Sequence, residues 1–211
     1  MTGAAWALLA VALVVAAADW FSVAATIRWL EYVTKPGFML ALIVLAIVIR
    51  PVNQTERVFF VVALAWGLIS DVFLMLPRDL FLAGLAAALV EHLAYIGGFG
   101  TRWLSLGLAI LAILIVLGSA ALVFPPIQRA LKHQHPRLVR PVIVYLCVFA
   151  FMVTSAGGTG SLLALAGALL FFYSDAILAW NRFVKPLPFG RVVNIVPYHV
   201  GQALLVVSLV S

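Results

Sequence analysis

Charge is what this chain most lacks. Only 9% of its 211 residues are charged and 66% are hydrophobic, whereas a soluble domain carries about a quarter charged residues. A water-facing surface wrapped around one core is excluded on that ground. Cysteine is nearly missing too: Cys147 alone rules out an intrachain disulfide and a thiol metal cluster, and its apolar surroundings predict a packing role. The alternation of apolar and polar residues over about ten positions that marks a membrane barrel strand does not occur. Neither do HExxH, Gly-x-Ser-x-Gly, a Walker loop or a Rossmann fingerprint. "GGTG" at 157–160 lacks the lysine of a phosphate loop and reads as a turn.

What the chain has instead is a series of apolar runs, many of roughly 18 residues or more, and a mean hydropathy of +1.21. These predict an all-α polytopic membrane protein in which every backbone polar group is satisfied within helices. Charges, prolines and glycines divide the sequence into eight apolar segments, near 4–26, 36–50, 57–76, 79–99, 103–124, 140–157, 160–181 and 190–210. Residues 1–211 then form a single eight-helix transmembrane domain. The opening "MTGAAWALLAVALVVAAADW" ends like a signal-peptide cleavage site. It lacks a basic n-region, however, and reads as the first span. The longest predicted loop is "PPIQRALKHQHPRLVRP"; its pair His133 and His135 reads as solvated rather than metal-binding.

The net charge of +6 sits in loops. It reads as the positive-inside bias of an inner-membrane protein, with membrane lipids and not nucleic acid as partners. The first, third, fifth and seventh loops carry Arg28, Lys35, Arg78, Arg129, Lys132, Arg137, Arg140, Arg182, Lys185 and Arg191, against Arg50, Arg57 and Arg102 on the other face. Ten against three, or nine if Lys35 is functional, predicts both termini outside. The sequence carries no signal for an oligomeric state. An internal echo is also present: "KP" and "SDVFL" in the first half answer "RP" and "SDAIL" in the second. A shift of four spans predicts a 4+4 parallel repeat.

Ionisable residues inside apolar runs point to function, since a charged Asp at a span's centre costs roughly 2.5–3.5 kcal/mol on insertion scales. Asp71 and Asp175 share a motif and fall at the same depth, in the half of the bilayer nearer the cation-rich face. His92 and Tyr95, at i and i+3, share one helix face; Glu91 is turned about 100° away, towards another partner. In "PYHVGQALL", Tyr198 and Gln202 face one way and His199 lies about a quarter-turn aside. Asn194 is a further inward-reaching amide. Lys35 opens the second predicted span, where position alone predicts snorkelling. Buried acids with an imidazole, tyrosines and an amide can perform acid–base chemistry on a lipid-like molecule.

At these residues the sequence resembles the lysoplasmalogenase family, the YhhN-like integral membrane proteins. The matching marks are "TKP", "WGLISDVFLM", "EHLAYIGGF", "GALLFFYSDAILAWNRF" and "YHVGQALL", in the family's order over about residues 34 to 206. Ser70 stands where the family often has glycine. The resemblance implies eight transmembrane helices and hydrolysis of the vinyl ether of a lysophospholipid substrate, a lysoplasmalogen. Products would be a fatty aldehyde and glycerophosphoethanolamine or glycerophosphocholine. Asp71 and Asp175 are then the expected acid–base pair, with His92, Tyr95, Tyr198 and Gln202 orienting water and the ether oxygen. On this view Lys35 meets the lipid phosphate, and no cofactor is required. A small transporter would also show parallel repeats and intramembrane acids; a non-catalytic lipid-binding protein is a third reading.

Overall fold

The computed structural model describes residues 1–211 and contains eight long α-helices and no strand. They are α1 (Gly3–Ala24), α2 (Arg28–Val48), α3 (Gln54–Met75), α4 (Phe81–Gly100), α5 (Leu106–Gln134), α6 (Val139–Gly158), α7 (Leu162–Phe183) and α8 (Gly190–Val207). All eight are long and apolar enough to cross a membrane.

The two ends of the bundle start their helices differently. Odd-numbered helices are capped by side chains: Thr2, Asn53, Ser105 and Ser161 each accept hydrogen bonds from first-turn amides. Even-numbered helices follow Ile27, Leu80, Leu138 and Phe189, which supply no such cap. On α4 the Phe81 amide donates to Asp79 Oδ1 at 3.4 Å, but the first-turn amides of α2, α6 and α8 have no side-chain cap, and the positive ends of four helix dipoles gather at that end.

Two boundaries differ from the sequence expectation, and proline is the cause in both. The second span was expected from residue 36, but α2 begins at Arg28 and carries Pro36 inside it. Pro36 removes one helix N–H, yet Glu31, Thr34, Phe38, Leu42 and Leu45 continue one buried face straight through it. The fifth span was expected to end at 124 before a long loop. Instead α5 runs through Pro125 and Pro126 to Gln134, followed by a single 3₁₀ turn at Pro136–Leu138. Ile127 and Leu131, one turn apart, are buried with Phe81, Val142 and Phe183 in a small core, and that burial sustains the extension. His135 sits at the helix end, its ring 5.8 Å from that of Phe183.

Packing order around the bundle runs α1, α2, α3, α4, α6, α7, α8 and back to α1, with α5 outside this ring against α6 and α7. Alanine and glycine let backbones approach, as is usual where helices associate without a hydrophobic driving force. The α7–α8 crossing is close on both sides: a Cβ on Gly167 would lie 2.8 Å from the Gly201 carbonyl, and one on Gly201 would lie 2.8 Å from the Gly167 carbonyl. Buried aromatics fill the wider gaps, with Phe60 edge-on to Tyr95 and Phe99. The outer surface is apolar, as a bilayer requires. Cys147 belongs to it: the expected packing role is not what α6 gives this residue, because its side of the helix faces outward, away from the core.

Candidate active site

Matching serines set the register of the two aspartates. Ser70 Oγ on α3 donates to the Gly84 carbonyl on α4 at 2.9 Å, and Ser174 Oγ on α7 donates to the Asn194 carbonyl on α8 at 2.9 Å. Each bond ties its helix to the next and turns the following aspartate inward. Asn194 returns the second bond, its Nδ2 donating to the Ser174 carbonyl at 2.7 Å. The expected binding role of Asn194 thus meets a residue on the wall whose amide already clamps α7 to α8.

Between these pairs lies a cavity of ≈ 310 Å³, mostly apolar, whose polar lining includes Lys35, Asp71, Glu91, Tyr145, Asp175 and Tyr198. It reaches the bundle end where the uncapped helices begin, and Arg28, Glu31 and Arg191 stand at that mouth.

Asp71 is held from both sides. Lys35 Nζ lies 2.9 Å from Oδ1, and Tyr198 donates its hydroxyl to Oδ2 at 2.7 Å. Lys35 also sits 5.6 Å from the Tyr198 ring centroid, so the three groups form one compact unit. Because α2 starts seven residues before Lys35, the ammonium stands about 10 Å inside the helix rather than at its beginning. Its side chain is only 14% exposed, which differs from the interfacial place expected for it.

Asp175 has a different neighbour. Tyr145 on α6 donates its hydroxyl to Asp175 Oδ2, and the same phenol oxygen lies 2.8 Å from His92 Nε2. Tyr145 thus links His92 to Asp175, and which of the phenol and Nε2 donates to the other follows the tautomer of the imidazole. His92 is fully buried, its ring 4.0 Å from that of Phe149, and it does not line the cavity.

A third acid closes the floor. Gln202 Nε2 donates to Glu91 Oε1 at 2.6 Å, and Tyr95 donates to Gln202 Oε1 at 2.6 Å. Gly67 on α3 makes room, since a Cβ there would come within 2.5 Å of Glu91 Oε1. Tyr95 and Gln202 lie behind Glu91 and do not reach the cavity surface.

Of the eight residues expected at the site, Lys35, Asp71, Asp175, Asn194 and Tyr198 are therefore brought to one cavity. His92 and Gln202 stand one residue behind its wall, bonded to Tyr145 and Glu91, and Tyr95 stands behind Gln202. Tyr145 was missed, because a lone tyrosine in an apolar span gives no sign of the acid another helix brings to it. Asp19 was missed as well. It is buried between α1, α2 and α8, with Thr34 Oγ1 donating at 2.6 Å and His199 Nε2 at 3.9 Å, while Trp20 Nε1 donates to His199 Nδ1 at 3.1 Å. No three His, Cys, Asp or Glu side chains converge as a metal site. Asp79, outside the spans, accepts from Arg182 at 2.8 Å, and this guanidinium holds the exposed carboxyl below the usual carboxylate range.

Fold and cavity together define a helical integral membrane protein with a charged pocket sunk into an apolar bundle. The chain belongs to the YhhN family, whose model matches residues 30–209. It is 35% identical over 147 residues to human "Lysoplasmalogenase TMEM86B", covering 69% of this chain and 61% of that protein. It is 28% identical over 169 residues to bovine "Lysoplasmalogenase TMEM86A", covering 75% of this chain and 67% of that protein. An Escherichia coli relative, "Uncharacterized membrane protein YhhN", is 26% identical over 215 residues and covers 97% of this chain and 98% of its own. The chain thus spans about 61% of the length of the mammalian TMEM86B relatives it matches. No solved structure matches.

Proposed function

We infer that this protein is a membrane-embedded lysoplasmalogenase, hydrolysing the vinyl ether of a lysophospholipid to a fatty aldehyde and a glycerophosphodiester. One observation carries the reading: of the carboxyls on one mostly apolar cavity, Asp71 is compensated by a cation and Asp175 is bonded only to a phenol, while Glu91 is held by the Gln202 amide at the floor. The names of the mammalian relatives support the substrate class.

The chemistry assigns the two acids separately. Asp71 has its negative charge balanced by Lys35, and a second full charge at Asp175 would have no cation of its own. Asp175 therefore serves as the proton donor, its carboxyl held in place by Tyr145 with His92 behind it. Its proton goes to the β-carbon of the vinyl ether, and the positive charge moves to the ether oxygen as an oxocarbenium ion. Asp71 steadies that cation and takes a proton from the attacking water. The hemiacetal then breaks its carbon–oxygen bond to the glycerol: Asp71 gives its proton to the departing oxygen, Asp175 takes the proton of the hemiacetal hydroxyl, and aldehyde and alcohol leave with both acids reset. Water adds once and no electrons are gained or lost. The excess of cations at the mouth's end supports a cytoplasmic placement of that face, with both termini outside.

The test is aldehyde release from a lysoplasmalogen by purified protein in detergent, with Asp71→Asn and Asp175→Asn beside it. Release by wild type and loss in both folded variants is the expected result. No aldehyde from folded wild type, with either an ethanolamine or a choline head group, would sink the reading.

A further inference from the structure

At the cavity mouth, first-turn residues of α2 and α8 meet. Arg191 Nη2 donates to both oxygens of Glu31, at 2.5 and 2.6 Å, and Arg28 Nη1 lies 3.7 Å from Glu31 Oε2. The carboxylate is sunk, with its side chain 7% exposed, while Arg28 and Arg191 are 52% and 48% exposed. Two guanidinia against one carboxylate leave an excess of one positive charge. Glu31 engages a single nitrogen of Arg191, so the other donors of that fork remain open to the mouth.

We propose that Arg28, Glu31 and Arg191 form a head-group subsite that selects the phosphoethanolamine zwitterion of a single-chain lipid. The proposal rests on reading the cavity as a lipid site and adds the head group it takes. Phosphate is anionic and planar forks of donors suit its oxygens, so it falls to Arg28 and Arg191. The uncapped N-termini of α2 and α8 add to the attraction at the same point. Glu31 keeps lone pairs free for a primary ammonium, which brings three N–H donors. A choline head group has no N–H and is recognised through aromatic faces, so a single carboxylate holds it less well. Charges then match throughout, anion on the excess cation and cation on the carboxylate. The register fits as well: Glu31 and Lys35 are four residues apart on α2, about 6 Å along the axis. A three-carbon glycerol unit bridges such a gap, leading from phosphate at the mouth to the ether beside Asp71.

Binding of ester lysophospholipids, which lack the vinyl ether, tests this without turnover. Calorimetry of the purified protein with lysophosphatidylethanolamine and lysophosphatidylcholine of equal chain length is expected to favour ethanolamine by about tenfold. Glu31→Gln is expected to abolish that difference, and Arg28→Gln to weaken both lipids by roughly threefold to tenfold. Arg28 is half exposed, so Arg28→Gln remains decisive if Glu31→Gln fails to fold. Equal binding by wild type, a preference surviving Glu31→Gln, or unchanged binding by Arg28→Gln would each overturn the subsite. Free glycerophosphoethanolamine binding as tightly as the lipid would overturn the lipid as its source. Selectivity without aldehyde release would keep the subsite and remove the hydrolase; aldehyde release without selectivity would do the reverse.

Discussion

Asp71 and Asp175 follow the same serine, sit in the same short motif, and are turned into the cavity by the same kind of serine-to-carbonyl bond. Their partners nonetheless differ. Asp71 is bound by an ammonium and a phenol, Asp175 by a phenol alone. The origin lies in the preceding helix. Both halves carry a basic residue before a proline, but α2 begins at Arg28, far enough upstream to draw Lys35 into the bundle. Its counterpart α6 begins at Val139, which leaves Arg140 exposed in the first turn. The shared Ser-Asp-x-x-Leu motif thus yields a charged pair at one position and an uncompensated acid at the other, because helix start sites decide which cation is buried.

Removing either acid should break that comparison most sharply. Asp175→Asn is expected to lower kcat for aldehyde release by roughly 10²–10⁴-fold, the usual contribution of a general acid. Little loss of thermal stability should accompany it, since no counter-ion is stranded. Asp71→Asn is also expected to abolish turnover, but with a stability loss of about 3 kcal/mol, because Lys35 is left buried without its carboxylate. The double change Lys35→Met, Asp71→Leu should recover most of that stability and none of the activity. If thermal unfolding found Asp175→Asn the more damaging single change, the division of roles would fail.

Tyr145→Phe comes next. Loss of the phenol bridging His92 and Asp175 should reduce kcat by about tenfold with little change in KM, read in steady-state kinetics. Gln202→Leu strips Glu91 of its amide partner on the cavity floor and should cost about 1–3 kcal/mol in unfolding. The smallest effect belongs to Asp79, which is 74% exposed beside Arg182. With a carboxyl lowered by that pair, its contribution is present above the unfolded carboxylate range and fades as pH falls through the folded value. Solvent screening limits it to at most about 1 kcal/mol, so Asp79→Asn should barely move the melting temperature at neutral pH.

Most of the fold was readable because a bilayer restricts the choices. Eight apolar runs had to be helices, and eight helices are present. Boundaries failed at Pro36, where proline was taken as a helix start, and at Pro125–Pro126, where it was taken as a stop. There the burial of Thr34 and Phe38, or of Ile127 and Leu131, outweighs the missing amide. In the site, Asp71 and Asp175 were conspicuous because a charge in an apolar run is costly enough to need a reason. Tyr145 was not conspicuous, since a tyrosine is at home in an apolar helix until another helix brings an acid to its hydroxyl.

Composition and pattern alone determined that this chain is a bundle of eight apolar helices with acids at a common depth. Hydrocarbon tolerates no unpaired backbone and few charges, so those features admit little else. Only the tertiary structure decided which acid receives Lys35, which receives Tyr145, and that His92, Tyr95 and Gln202 act from behind the wall. Those pairings depend on helix rotation and start point across different helices. An ion pair or hydrogen bond is lost over an ångström or two, a precision that spacing along one chain does not carry.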